Sequence, residues 1–594
     1  MTDHDDKPPL PAPSLEDIQH WTWVMGRAQQ LMLEHVSNAM GQAAEAAPVA
    51  EKAAMQWPGM GAFGAFADPA KVMRMQADLW TEGLSIWQRA LGSYAGRTEL
   101  EEKADADKRF AAKAWQDNPL YDTIRQTYLL VSDRLLASVD QIEGVDEGAR
   151  EKIRFVTRAF VDAMAPSNFA LTNPQVIERA IETKGESLLH GLEHLLKDME
   201  KGQLTHVDPN AFEVGRNIAA TPGKVVLETP LYQLIQYAPA TEQVLAVPLL
   251  IFPPWINRFY ILDLNPKKSF IKWAVDQGLT VFIVSWKSAD ASLADVGLDD
   301  YALAQLEAIE AVRDALDVPQ VHVIGYCVAG TYLAATLALL AARGEAQKVA
   351  SATFFTAQVD FSEAGDLKLF IGDEQMELIR QLGADKGYLD GRYMAATFNL
   401  LRGRDLIWSY VTNNYLLGQD YPQFDLLFWN GDTTNLPAKW HQIYLQSLYR
   451  DNKLVQPGAL EIDGVPIDLR KVKTPAYIQA GREDHIAPAA SVWKITHHFA
   501  GPLRFVLAGS GHIAGVVNPP EAGKYQYWTN EDKVDTLAAF IEGATETKGS
   551  WWPDWIQWVR AIDDKEVKAK GARKPGKGRL KAIEDAPGSY VKAR

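Results

Sequence analysis

The sequence predicts an α/β fold, a mostly parallel sheet covered on both faces by helices, preceded by a mostly helical N-terminal domain. Three observations carry this. Beyond Thr221, short β-branched and apolar runs alternate with helical segments such as "YALAQLEAIEAVRDAL", the pattern of strands joined by crossover helices. Residues 319–337, "PQVHVIGYCVAGTYLAATL", place the chain's one cysteine, Cys327, where an apolar run meets a long helix-forming run. The first ~215 residues, by contrast, read as helices.

In the N-terminal region Ser14 and Asp17 resemble a capping box, and Leu15, Ile18, Trp21, Met25, Ala28 and Met32 recur at helical spacing. The loop "QWPGMGAFGAFADP" interrupts at 56–69, before further helical runs, "AKVMRMQADLWTEGLSIWQRAL" and "NPQVIERAIETKGESLLHGLEHLLKDM". After Thr221, "KVVLETPLYQLIQY" reads as two strands turned at Thr229-Pro230. The runs 244–252, 280–286, 321–326, 351–357, 476–481 and 504–509 read as further strands. The alternation breaks between about 360 and 450, where a long aromatic stretch is expected to form a cap over the strand ends. The expected division is a helical domain over 1–215, a catalytic domain over 216–545 with its cap insertion, and a Trp-rich segment with a basic tail over 546–594.

Composition narrows the class. A chain of 594 residues exceeds one hydrophobic core. A single cysteine allows no intrachain disulfide. The acidic, proline-rich start lacks the features of a signal peptide, and no run of about 18 apolar residues is present, so a cytoplasmic protein without a transmembrane span is expected. A net charge of −16 argues against nucleic-acid binding. The run 565–594 carries ten Lys/Arg against three Asp/Glu and reads as a solvated basic tail, with docking on an anionic partner as the alternative.

Cys327 fits the nucleophile elbow, in which a strand turns sharply into a helix and small neighbours let the backbones approach. Gly325 fills the −2 position. Ala329 stands at +2, and the second glycine, Gly330, comes one residue later. The N-terminus of the following helix favours a thiolate there, and the Val328 amide is the expected oxyanion donor. A second donor should come from Trp255, Ile256 or Asn257, since Pro253 and Pro254 lack N–H groups. Such a nucleophile needs an acid and then a histidine further along the chain. Asp484 in "AYIQAGREDHIAP" and His512 in "RFVLAGSGHIAG" each follow a predicted strand, which places both at the carboxyl edge of the sheet. His485 precedes the last strand and is the weaker base. A Cys-His-Asp set on an α/β-hydrolase fold with a cap insertion suits acyl transfer, and cysteine points to a thioester donor. "HGLEH" at 190–194 matches an inverted zinc-peptidase motif, yet it lies in an ordinary amphipathic helix with no third ligand, so no metal is expected.

The segments "PPWINRFYILDLNPKKSF", "GYCVAG", "FDLLFWNGDTTNLP", "GREDHIAP", "SGHIAGVVNPP" and "GSWWPDW" resemble the signature segments of class I polyhydroxyalkanoate (poly-3-hydroxybutyrate) synthases, most of which carry glycine at the position of Ala329. The resemblance implies polymerisation of (R)-3-hydroxyacyl-CoA, foremost 3-hydroxybutyryl-CoA, into polyester with release of CoA. It implies Cys327 as the nucleophile holding the growing chain, His512 as its base, and Asp484 as the group that orients His512 and helps activate the 3-hydroxyl. It further implies a homodimer on the surface of polymer granules, with the cap gating substrate entry, and neither a metal nor a tightly bound cofactor. The Trp-rich C-terminal segment and the helical N-domain are candidate granule-facing surfaces, the alternative being that these aromatics are core. CoA is polyanionic, so a basic entrance is expected, with Arg258, Lys267 and Lys268 as candidates. The rival readings are a cysteine thioesterase and a granule-coating protein with a vestigial hydrolase domain.

Overall fold

The computed structural model describes residues 106–593 together with Arg27. The capping box at Ser14, the helical spacing that follows it, the loop at 56–69 and the run after it lie outside the described residues. The chain forms two compact units: residues up to Asp208 with Ala396–Pro422, and Pro209–Ala395 with Gln423–Arg594. Part of the segment expected as cap, residues 396–422, therefore clusters with the N-terminal helices.

In the first unit, α1 (Pro119–Asp140) starts with proline in its first turn behind Asn118, whose side chain accepts from Leu120 N–H at 2.9 Å. Asp146 caps α2 (Glu147–Ala163) in the same way. The helical run at 173–199 is divided into α3 (Pro174–Glu182) and α4 (Glu186–Lys201), because Lys184 (φ 52°) and Gly185 (φ 91°) both turn left-handed. The "HGLEH" motif belongs to α4. A Cβ on its second residue, Gly191, would lie 1.8 Å from the Tyr415 carbonyl oxygen, so the helix is packed directly on the backbone of a π-helical turn, Val411–Leu416. His194 engages the Asn414 carbonyl at 3.2 Å. Asp162 accepts from both Arg404 (2.7 Å) and Arg109 (3.1 Å), which ties residues 396–422 to the helices around them.

The second unit is built on an 11-stranded mixed sheet. As expected, β1 (Gly223–Glu228) and β2 (Tyr232–Tyr237) form a hairpin. The run 244–252 is two strands rather than one. The first, β3 (Gln243–Leu245), leaves the sheet, and β4 (Leu249–Phe252) enters it. Pro248 lies between them and has no N–H for a ladder, while its carbonyl accepts from His322 N–H. The strands β5 (Val281–Trp286), β6 (Val321–Tyr326), β7 (Val349–Phe355), β8 (Ala476–Gly481) and β9 (Leu503–Ala508) complete, with β4, a parallel centre. Antiparallel strands flank it on both sides, among them β10 (Gln526–Thr529) and β11 (Thr545–Lys548).

Every residue of β4 to β8 is buried. The reason is that both faces are covered: Leu250 and Phe252 join one apolar cluster, with helices α6 (Leu298–Leu316) and α7 (Val328–Ala342), and Leu249 and Ile251 join another, with α5 (Phe270–Asp276) and α8 (Trp552–Ile562). Strands buried on both sides read as continuous apolar runs, which is why these were legible in the sequence.

The C-terminal segment corrects one expectation and decides between two others. Residues 565–593 are not a solvated tail. Strand β12 (Glu566–Lys568) pairs with β3, and β13 (Glu584–Asp585) pairs with β1. Arg573 is buried and donates to the Ala246 carbonyl (2.6 Å) and Thr280 Oγ1 (3.2 Å); burial lowers its pKa. The Trp-rich segment is core, with Trp551, Trp552 and Trp555 fully buried.

Candidate active site

At the end of β6 the backbone turns into α7 through a single residue, Cys327, held at φ 53° and ψ −127°. Positive φ is uncommon for a residue with a side chain and marks stored strain. The neighbours over-determine it. Cys327 N–H donates to the Phe355 carbonyl of β7 at 2.9 Å, and the Cys327 carbonyl accepts from Gly330 N–H (2.9 Å) and Thr331 N–H (3.1 Å). A Cβ on Gly325 would meet Gly330 Cα at 2.5 Å, and one on Gly330 would meet the Gly325 oxygen at 2.7 Å. The glycine that permits the close approach is thus Gly330, one residue past the motif position. Ala329 is buried on the other side, where its carbonyl accepts from Gln305 Nε2 of α6 at 2.9 Å.

Val328 N–H is the first amide of α7 and has no intrahelical acceptor. The loop after β4, the source of the expected second donor, is clamped by Thr434, whose hydroxyl contacts the carbonyls of Trp255 (2.8 Å) and Ile256 (2.6 Å). Asn257 is occupied in a bridge to Thr433.

The structure brings Asp484 and His512 together. His512 Nδ1 donates to Asp484 Oδ2 at 2.7 Å. The other carboxylate oxygen accepts from Ile486 N–H (2.8 Å) and Ala487 N–H (2.9 Å), so its orientation is fixed by the turn after β8. His485 follows Asp484 in that turn, and the histidine that Asp484 meets is His512. Burial opposes an imidazolium at His512, but the Asp484 carboxylate and the Cys327 sulfur beside it outweigh burial and hold its pKa well above the ordinary imidazole value. A half-buried thiol, a histidine coupled to it and a carboxylate fixing the imidazole can perform nucleophilic acyl transfer.

Other residues at the site gave no signal in the sequence. Tyr326 donates its hydroxyl proton to the His512 carbonyl at 3.0 Å. Tyr444 and Tyr449 are buried within electrostatic reach of Cys327, and Gln358 Nε2 lies 3.3 Å from the Tyr449 hydroxyl. Of the three basic candidates, Arg258 departs from expectation. Arg258 is buried, 2% exposed, and committed to Asp432 (3.4 Å) and the Ala593 carbonyl (2.6 Å), so it is no entrance residue. Lys268 pairs with Asp425 at 2.9 Å, and Lys267 is exposed. Among the described residues, no group of three or more His, Cys, Asp or Glu side chains could hold a metal ion, and no helix is long and apolar enough to cross a membrane.

Comparison with known proteins gives the lineage. Residues 106–274 match the family model described as the poly-beta-hydroxybutyrate polymerase (PhaC) N-terminus, and residues 237–519 match the α/β hydrolase fold. A poly(3-hydroxyalkanoate) polymerase subunit of Rhizobium meliloti (strain 1021) is 46% identical over 536 residues, 89% of this chain and 87% of that protein. The poly(3-hydroxyalkanoate) polymerase of Methylorubrum extorquens is 44% identical over 535 residues, covering 89% of this chain and 88% of its own. The Cupriavidus necator subunit is 42% identical over 549 residues, 90% of this chain and 91% of the other. With the hydrolase sheet, the strained elbow and this identity along nearly the whole chain, the protein belongs to the poly(3-hydroxyalkanoate) polymerase family of acyltransferases.

Proposed function

We propose that the chain polymerises (R)-3-hydroxyacyl-CoA, foremost 3-hydroxybutyryl-CoA, into polyhydroxyalkanoate through a covalent thioester on Cys327. The observation that carries this reading is the strained Cys327 elbow facing the His512–Asp484 pair. His512 takes the thiol proton as the sulfur attacks the acyl-CoA carbonyl. The new C–S bond forms, the bond to CoA sulfur breaks, and CoA leaves as the thiol with the proton from His512. Val328 N–H is the oxyanion donor that this geometry supports, with the clamped Trp255–Ile256 segment supplying the second. The 3-hydroxyl of the next unit then attacks the enzyme thioester. Its proton passes to His512 and on to sulfur, and an ester replaces the thioester. Asp484 holds the imidazole and favours its charged form.

Thioester exchange onto sulfur keeps the acyl group activated, which favours a second acceptor over water. A homodimer at the granule surface, and a cap that gates entry, complete the reading and rest on the family resemblance. Incubation with 3-hydroxybutyryl-CoA, following CoA release and turbidity together, tests it. Both signals are expected from the native chain and neither from C327A. CoA release without turbidity would mean a thioesterase, and polymer formed by C327A would overturn the assignment of Cys327.

A further inference from the structure

The Trp-rich segment is buried, which raises the question of what its indoles hold. Trp551 Nε1 donates to the Gly515 carbonyl at 2.7 Å, and Trp552 Nε1 donates to the Val516 carbonyl at 2.9 Å. Both acceptors lie in the turn that begins at His512, a turn closed on itself by Gly515 N–H to the Gly511 carbonyl (2.8 Å) and Val516 N–H to the Ile513 carbonyl (3.0 Å). The near end of the same turn is held by the Tyr326 hydroxyl on the His512 carbonyl. Trp551 also packs edge-on against Phe355 at 5.1 Å, the residue whose carbonyl receives Cys327 N–H. All three carbonyls lie in a glycine-containing turn, which has little stiffness of its own. Three buried donors from two other elements therefore fix it.

We infer that Trp551 and Trp552 are positioning residues for His512. Through two indole N–H bonds they set the turn that aims the imidazole at Cys327. This rests on the reading of Cys327 and His512 as nucleophile and base. Trp555, on the same helix, serves as the internal comparison. It is equally buried and its indole also makes one hydrogen bond, to Thr353 Oγ1 of β7 at 2.9 Å, an acceptor outside the His512 turn.

The test replaces each indole by a phenyl ring, which keeps an aromatic body and deletes the N–H. W551F and W552F are expected to lower kcat for 3-hydroxybutyryl-CoA by about ten- to a hundredfold with KM changed less than about twofold, the signature of misplacement in the transition state. W555F is expected to lose thermal stability comparably while keeping kcat within about twofold. A second readout needs no substrate. Cys327 is the chain's one cysteine, so alkylation by iodoacetamide reports on this site alone. Its rate against pH depends on the His512 imidazole beside the sulfur, and the profile should move in W551F and W552F and stay in place in W555F. Equal kcat losses in all three variants, or an unmoved alkylation profile in W551F and W552F, would overturn the inference. If one of these two variants fails to fold, the other decides. If the native protein makes polymer and C327A does too, the triad assignment fails instead, and the two failures are told apart.

Discussion

Gly325 and Gly330 face each other across the elbow so closely that a methyl group on either would collide with the other's backbone, at 2.5 Å and 2.7 Å. That contact allows β6 to turn into α7 in one residue and leaves Cys327 at the apex. G325A or G330A is expected to destabilise the protein by about 2–4 kcal/mol, as a clash that only a backbone shift relieves, and to abolish polymer formation. A329G should cost about 1 kcal/mol at most, the ordinary penalty of glycine in a helix, and keep activity. Thermal unfolding and the turbidity assay together check the contrast, and a G330A protein with native activity would refute this account of the elbow.

Asp484 orients His512 through one oxygen and is itself held by two amides through the other. In D484N the amide-bound oxygen can stay in place, so the new NH₂ would face His512 Nδ1 and force the wrong tautomer. Loss of activity by a factor on the order of 10³–10⁴ is expected, with the fold intact. Single-turnover acylation by 3-hydroxybutyryl-CoA measures it directly. D484N acylating at the native rate would remove Asp484 from the mechanism.

The raised pKa of His512 has a consequence for stability. A histidine whose folded-state pKa lies above its unfolded value of about 6.5 contributes stability in full below that value, and loses it as pH climbs through the folded value. The stability gap between the native protein and H512Q should therefore be largest at mildly acidic pH, below about 6.5, and shrink as pH rises through the neutral and alkaline range. Denaturant unfolding across that range reads it out. A gap that widened with pH would contradict the coupling of His512 to Asp484 and Cys327.

Arg573 is a buried guanidinium that donates to backbone carbonyls and a threonine hydroxyl. R573A would take a donor from each of those acceptors and open a space beside Leu245, Ala246 and Thr280, at an expected cost of about 2–4 kcal/mol. Removing residues 565–594 should cost more, because β3 would lose its partner β12, and β1, still paired with β2, would be left as an open sheet edge without β13. Chemical denaturation compares the two, and a truncated chain of native stability would show that the segment is dispensable.

The sequence by itself determined the parallel centre of the sheet, the elbow and the order Cys327, Asp484, His512. Strands buried on both faces must be apolar throughout, and a hydrolase site must gather at their carboxyl ends, so both leave a local trace in the residues. Only the tertiary structure decided the rest. Gly330 rather than the residue at position 329 makes the close approach, because spacing along a helix does not say which residue faces the strand. Arg258 is a buried ion-pair residue and Arg573 an anchor, although both read as surface charges, because a charge acquires its partner only when distant segments meet. The pairing of Asp484 with His512 spans 28 residues, and the bonds of Trp551 and Trp552 to the His512 turn span 36. Contacts at such separations carry no periodicity, and folding alone brings them together.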